Sequence, residues 1–298
     1  MPETTHAIEG YIPFHGYRTW YRVAGEDTGT HAPILILHGG PGAPHDYLEN
    51  LEALTDAGRR VVFYDQLGCG NSDQTHQPEM YTVGLFVEEL GEVRRALGLD
   101  RCHILGQSWG GMLAMEYALT QPTGVLSLVI ADSPASMSLW VAEANRLRAE
   151  LPPEVQATLL KHEAAGTTDD PDYQQAMLAF YQRHVCRLNP YPEFVQRAFE
   201  RISPEVYGTM NGPSEFHVIG TLKHWDITSR LGEISLPALL ISGRYDEATP
   251  LIVEQVHRGI PGSEWVLFEH SSHMPHVEEA ERFRAVVNEF LDRVESRT

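Results

Sequence analysis

The sequence is short of three things. Cysteine is the first: only Cys69, Cys102 and Cys186 occur in 298 residues, an odd set with no CxxC spacing. A disulfide framework needs paired cysteines, so the pattern predicts reduced thiols in a cytoplasmic protein. Basic charge is the second: 22 Lys and Arg stand against 41 Asp and Glu, a formal net charge of −19. Phosphate contacts need a basic face, so a nucleic-acid partner is not expected. The acidic surplus fits a cationic substrate, although it equally serves solubility. The third is a long apolar run. No stretch nears the ~18 consecutive apolar residues of a membrane span. Met1–Gly10 is polar and has no apolar signal-peptide core. Internal repeats and low-complexity segments are also missing.

What is there is ordinary globular material: 42% hydrophobic and 21% charged residues. The length suits one large α/β domain, or a core with a smaller insertion. Tyr11–Val23 alternates loosely around Gly16 and predicts a hairpin. Short apolar runs at Ile34–Leu37, Arg60–Tyr64, Cys102–Leu105 and Val125–Ile130 predict buried strands. Helical spacing separates them at Asp46–Ala57, Val83–Leu97 and Met112–Leu119. This alternation predicts a mostly parallel sheet covered on both faces.

The rhythm breaks after about Leu139. Helices are expected at Leu139–Leu151, Glu154–Ala165, Asp172–Arg187 and Glu193–Arg201, with no buried strand among them. The expected division is a first core part at 1–137, a helical cap or lid at 138–228, and a second core part at 229–298. The alternative is an appended helical domain with no role in a site. Strands resume near Pro237–Gly243 and at Glu264–Phe268, and a helix over Ala280–Val294 closes the chain.

Gly106-Gln107-Ser108-Trp109-Gly110 lies between a predicted strand and a predicted helix. A G-x-S-x-G turn in that context forces the serine into a strained conformation and lifts its hydroxyl above the sheet. A serine is a weak nucleophile alone and needs a base and an orienting acid. Catalytic groups in such sheets gather at the carboxyl ends of strands. After the strand near 238–242 come Asp246 and Glu247, and after the strand at 265–268 come His270, His273 and His276. Asp246 has the shorter side chain usual for the orienting acid, with Glu247 as its competitor. The order Ser, Asp, His is that of α/β-hydrolases. The oxyanion needs two N–H donors. Trp109 supplies one, and the loop His38-Gly39-Gly40-Pro41-Gly42 supplies the other, from Gly40 or, as second choice, Gly39. That loop lacks the lysine of a Walker loop and the spacing of a dinucleotide loop. The i,i+3 histidines 270, 273 and 276 have no carboxylate or cysteine cluster to complete a metal site, and no metal or organic cofactor is expected.

His38-Gly39-Gly40-Pro41-Gly42, Asp65-Gln66-Leu67-Gly68-Cys69-Gly70, Gly106-Gln107-Ser108-Trp109-Gly110-Gly111 and the context of Asp246 and His273 resemble the proline iminopeptidase family of α/β-hydrolases. The likeness runs roughly from Gly10 to Leu291. Asn211–Phe216, Gly243–Pro250 and Ser133–Met137 resemble the branch of the tricorn-interacting aminopeptidase and the L-proline amide hydrolases. The place of His273 in Ser272-His273-Met274-Pro275 selects it as the base; His270 and His276 are then surface or helix-start residues. One departure is Leu67, where many family members carry arginine.

The resemblance implies acyl transfer through Ser108, with His273 as base and Asp246 as acid. It also implies that Glu215 and Glu247 hold the free amine of an N-terminal residue, preferably proline, in an amide or short peptide. The chemistry is coherent: an unblocked amine is a cation, and two carboxylates stripped of water make a site that penalises a blocked one. A carboxylesterase without an amine requirement is the competing reading. Lid aromatics Trp140, Phe180, Tyr181, Phe194, Tyr207, Phe216 and Trp225 are candidates to line the pocket or plain core.

Overall fold

The computed structural model describes residues 7–297. Of the Met1–Gly10 segment, residues 1–6 therefore lie outside the described residues. The strands are β1 (Ile8–Phe14), β2 (Tyr17–Ala24), β3 (Ile34–Leu37), β4 (Val61–Tyr64), β5 (Cys102–Gln107), β6 (Val125–Ala131), β7 (Ala238–Gly243) and β8 (Glu264–Phe268). They form one sheet in the order β1-β2-β4-β3-β5-β6-β7-β8. The β1–β2 hairpin and the β2–β4 pair are antiparallel, and every pair from β4 to β8 is parallel. β3, β4, β5 and β7 are buried throughout. Strands buried on both faces read as continuous apolar runs, which is why they were legible.

Helices α1 (Val83–Ala96) and α2 (Trp109–Ala118) flank β5 in sequence. Between β6 and β7 run α3 (Met137–Arg148), α4 (Pro153–Ala165), α5 (Pro171–His184), α6 (Glu193–Glu200) and α7 (Pro204–Met210). No strand falls there among the described residues. These helices have a core of their own, built on Leu147, Leu159, Tyr173, Phe180 and Phe216. α8 (Pro250–Gly259), α9 (Pro275–Glu278) and α10 (Ala280–Glu295) complete the chain.

The structure differs from the sequence reading at several places. His45–Ala57 is a 3-10 helix, and its buried Leu48, Leu51 and Leu54 recur every third residue, the period of that tighter coil. α7 and α8 were not anticipated. Both start with proline in the first turn, Pro204 and Pro250, a start signal diluted by short length and neighbouring loop residues. No described helix is long and apolar enough to cross a membrane.

The topology places the site. β4 and β5 lie on opposite sides of β3, so the sheet order reverses there, and a crevice opens beyond the carboxyl ends of β3 and β5. Leu37 pairs with Gly106, which brings the loop after β3 beside the turn after β5.

Candidate active site

Ser108 sits between β5 and α2 with φ 57° and ψ −123°. A non-glycine residue holds such a conformation only where its surroundings impose it. The flanking glycines make this possible. A Cβ on Gly106 would lie 2.1 Å from the Gly110 carbonyl, and one on Gly110 would lie 2.1 Å from the Leu37 carbonyl. Strand, turn and helix are thus closer than side chains permit. The Ser108 N–H donates to the Ala131 carbonyl (2.9 Å), and Ser133 Oγ donates to the Ser108 carbonyl (2.8 Å).

His273 Nδ1 lies 2.7 Å from Asp246 Oδ1. The same oxygen accepts the Ala248 N–H at 2.7 Å. A carboxylate facing Nδ1 selects the tautomer with its proton there, which leaves Nε2 as the basic nitrogen. The His184 carbonyl, at the end of α5, accepts the N–H of both Glu247 (3.3 Å) and His273 (3.2 Å). Ser108, His273, Glu215, Glu247 and Gly40 all line one cavity of about 50 Å³. Trp109 lines an adjoining cleft with Ser108, Gly40 and Glu215.

The two glycines of the β3 loop are not equivalent. The Gly39 N–H already donates to Tyr47 Oη (2.7 Å), whereas the N–H groups of Gly40 and Trp109 have no acceptor among the described residues. Gly40 has φ +111°, and a Cβ there would come 2.5 Å from the Gly42 nitrogen. Tyr47 Oη in turn donates to Gln107 Oε1 (2.6 Å), and Gln107 Nε2 donates to the His273 carbonyl (2.8 Å). One buried relay therefore ties the β3 loop, the serine turn and the histidine loop together. Sequence reasoning missed Tyr47, because a tyrosine inside an expected helix gives no local sign that its hydroxyl reaches back to Gly39 and across to Gln107. His38 is buried, and burial lowers its pKa to about 4. As a neutral ring it accepts the Gln66 N–H at Nε2 (2.9 Å).

Glu247 is fully buried, and neither of its carboxylate oxygens has a hydrogen-bond partner. Its Oε1 lies 3.8 Å from His273 Nε2. Glu215 keeps some exposure to the cavity and accepts a hydrogen bond from Tyr207 Oη at 2.7 Å. Burial first, then the charges of Glu215 and Asp246, push the Glu247 carboxyl well above the usual range. Burial also raises that of Glu215, against the opposing pull of Tyr207 and His273. Two buried carboxyls lining one cavity can neutralise a cation that enters it.

The remaining predicted residues separate. His270 is exposed, whereas His276 is not a surface residue: it is buried at the start of α9, with Nε2 3.1 Å from the Tyr47 carbonyl. The helix start carries it inward against Tyr47 and Phe283. Trp140 and Tyr207 line the two cavities; Phe180 and Phe216 belong to the helical core, and Trp225 donates to Glu116. Leu67, which stands where many family members carry arginine, is buried, and its N–H donates to the Glu89 carboxyl group.

The model of the α/β-hydrolase fold matches residues 32–280. A proline iminopeptidase of Clostridium botulinum is 42% identical over 288 residues, 96% of this chain and 98% of its own. The chain belongs to the proline iminopeptidase family of α/β-hydrolases. A crystal structure of a Mycobacterium smegmatis proline iminopeptidase is 46% identical, with a TM-score of 0.89 over 96% of this chain and 98% of that one. The crystal structure of VinJ is 49% identical, with a TM-score of 0.93 over 96% of this chain and 99% of that one. Membership accounts for a serine turn beside a glycine loop. It leaves the two buried glutamates to be read from their own geometry.

Proposed function

We propose that the chain is a serine hydrolase that releases an N-terminal residue, preferably proline, from an amide or short peptide. Relatives named proline iminopeptidase at 42% and 46% identity support the reaction class. The observation that carries the substrate is Glu247, buried without a partner 3.8 Å from His273 Nε2 in the cavity of Ser108. Ionising a carboxyl in that position costs stability until a cation pairs with it.

In this reading the substrate ammonium sits between Glu215 and Glu247. Ser108 Oγ attacks the carbonyl carbon while His273 Nε2 takes its proton. The N–H groups of Gly40 and Trp109 hold the oxyanion. As the carbonyl reforms, the C–N bond breaks and His273 returns the proton to the leaving amine. Water then attacks the acyl-enzyme by the same route, with His273 as base, and frees Ser108. The helical segment 138–228 acts as a cap, since α3 and α5 meet the histidine loop and Tyr207 holds Glu215. The three cysteines are free and buried, in keeping with a cytoplasmic location.

The test compares kcat/KM for L-proline amide, a Pro-Xaa dipeptide, N-acetyl-L-proline amide and a p-nitrophenyl ester, in wild type and Glu247→Gln. Free-amine substrates should win, and the variant should lose mainly those. An ester or a blocked amide turned over as well as the free amines, with no effect of the variant, would make the protein a carboxylesterase. Ser108→Ala should lower turnover by roughly 10⁴–10⁶-fold, as removing such a nucleophile does elsewhere.

A further inference from the structure

Asp132 follows β6 directly and is fully buried, and neither of its carboxylate oxygens has a hydrogen-bond partner. Its main-chain N–H donates to the Ile241 carbonyl (2.8 Å), which seats it at the end of β7. Its φ is 55°, in the left-handed region. The carboxyl comes within hydrogen-bond reach of that of Asp246. Asp246 commits Oδ1 to His273 and to the Ala248 N–H, but its buried Oδ2 has no partner.

Two buried carboxyls in contact cannot both carry charge. One keeps a proton and becomes the donor that the other lacks. Asp246 already holds two hydrogen-bond contacts at Oδ1. Asp132 accepts none, since the Gly243 N–H faces it without reaching hydrogen-bond geometry. Burial first, then the charge of Asp246, and lastly that of Glu278 on α9 push the Asp132 carboxyl well above the usual range. Tyr47, from the 3-10 helix at 45–57, is a further titratable group facing it.

We propose that Asp132 is a positioning residue: as a carboxylic acid it donates to Asp246 Oδ2 and holds that carboxylate in line with His273 Nδ1. This rests on the reading of Asp246 and His273 given above. The donor also draws negative charge away from Oδ1, the oxygen that faces His273 Nδ1. An amide nitrogen at the same place would do the same.

The experiment compares Asp132→Gly, Asp132→Asn and Asp246→Ala with wild type. Glycine removes the carboxyl and tolerates the positive φ. Two readouts are taken: kcat and KM for L-proline amide, and the pH dependence of Ser108 labelling by an uncharged serine-reactive phosphonate. Asp132→Gly should lose roughly 10- to 100-fold in kcat with KM nearly unchanged. Its acidic limb of labelling should move up by about half a pH unit, because the negative charge on Oδ1 beside His273 grows. Asp132→Asn should restore kcat to within about threefold of wild type and return the limb to its place. A glycine variant with wild-type kcat and an unmoved limb overturns the proposal, as does an asparagine variant as impaired as the glycine one. Asp246→Ala separates the two readings: if it labels like wild type, the assignment of the acid itself has failed.

Discussion

The indole of Trp140 stands edge-on to the imidazole of His273, with centroids 5.9 Å apart and planes at 71°. Trp140 Nε1 also donates to the Glu215 carbonyl (2.8 Å). One side chain of α3 therefore touches the base and holds the main chain beside an amine-binding candidate. Trp140→Phe keeps a ring against His273 and loses the hydrogen bond. It should cost roughly 3- to 10-fold in kcat/KM, mostly through KM for free-amine substrates. Trp140→Ala should cost more and lower kcat as well. Steady-state kinetics on L-proline amide check this, and a pure kcat loss in Trp140→Phe would contradict it.

The two raised glutamates set a sign for pH dependence. Burial favours the protonated form of both in the free enzyme, and at Glu247 the charge of Glu215 adds to it. A cationic amine favours the ionised forms, so its binding is resisted as pH falls through their raised values. The acidic limb of kcat/KM for L-proline amide should lie at higher pH than the limb for an uncharged ester. In Glu247→Gln the two limbs should approach each other. Coincident limbs in the wild type would count against amine capture by this pair.

Tyr47 supplies both ends of a relay, accepting from Gly39 and donating to Gln107. Tyr47→Phe leaves the buried Gly39 N–H without its acceptor and Gln107 Oε1 without its donor. A loss of about 1–3 kcal/mol in stability should follow. kcat should fall by roughly tenfold, since both the oxyanion loop and the histidine loop lose a fixing contact. Thermal unfolding and kcat on the same preparation measure the two effects. Wild-type values for both would show that the relay positions nothing.

Glu89 gives a pH prediction for stability rather than activity. It is buried, accepts from Thr19 Oγ1 and the Leu67 N–H, and burial raises its pKa to about 8. A raised folded-state pKa contributes stability below the unfolded value of about 4.5 that is lost as pH rises through about 8. Glu89→Gln cannot lose that proton. The stability difference between variant and wild type should therefore shift in favour of the variant between pH 5 and pH 9, by on the order of a few kcal/mol. Urea unfolding across that range would read it, and a pH-independent difference would refute it.

Much of the site was legible because its local chemistry is written in consecutive residues. Gly106 and Gly110 around Ser108, and the glycines after β3, mark backbone that must pass closer than side chains allow. The Asp246 and His273 loops follow strands whose apolar runs are unmistakable. What was not legible depends on contacts across the chain. Tyr47 meets Gln107 over 60 residues, and Trp140 meets His273 across more than a hundred. His276 was expected at the surface or at a helix start; it does start α9, and only its burial was illegible, because a histidine after a proline carries no burial signal of its own.

The sequence by itself determined the alternating strands and helices, the strained serine turn and the chain order of Ser108, Asp246 and His273, since each follows from short-range spacing and backbone sterics. Tertiary structure alone decided which loop glycine keeps a free N–H, because Tyr47 takes the one on Gly39. It also decided that Glu247 is buried without a partner beside His273, and that Asp132 reaches Asp246. Those properties are distances and desolvation, set by which strands neighbour one another in the sheet, and no local pattern of residues encodes them.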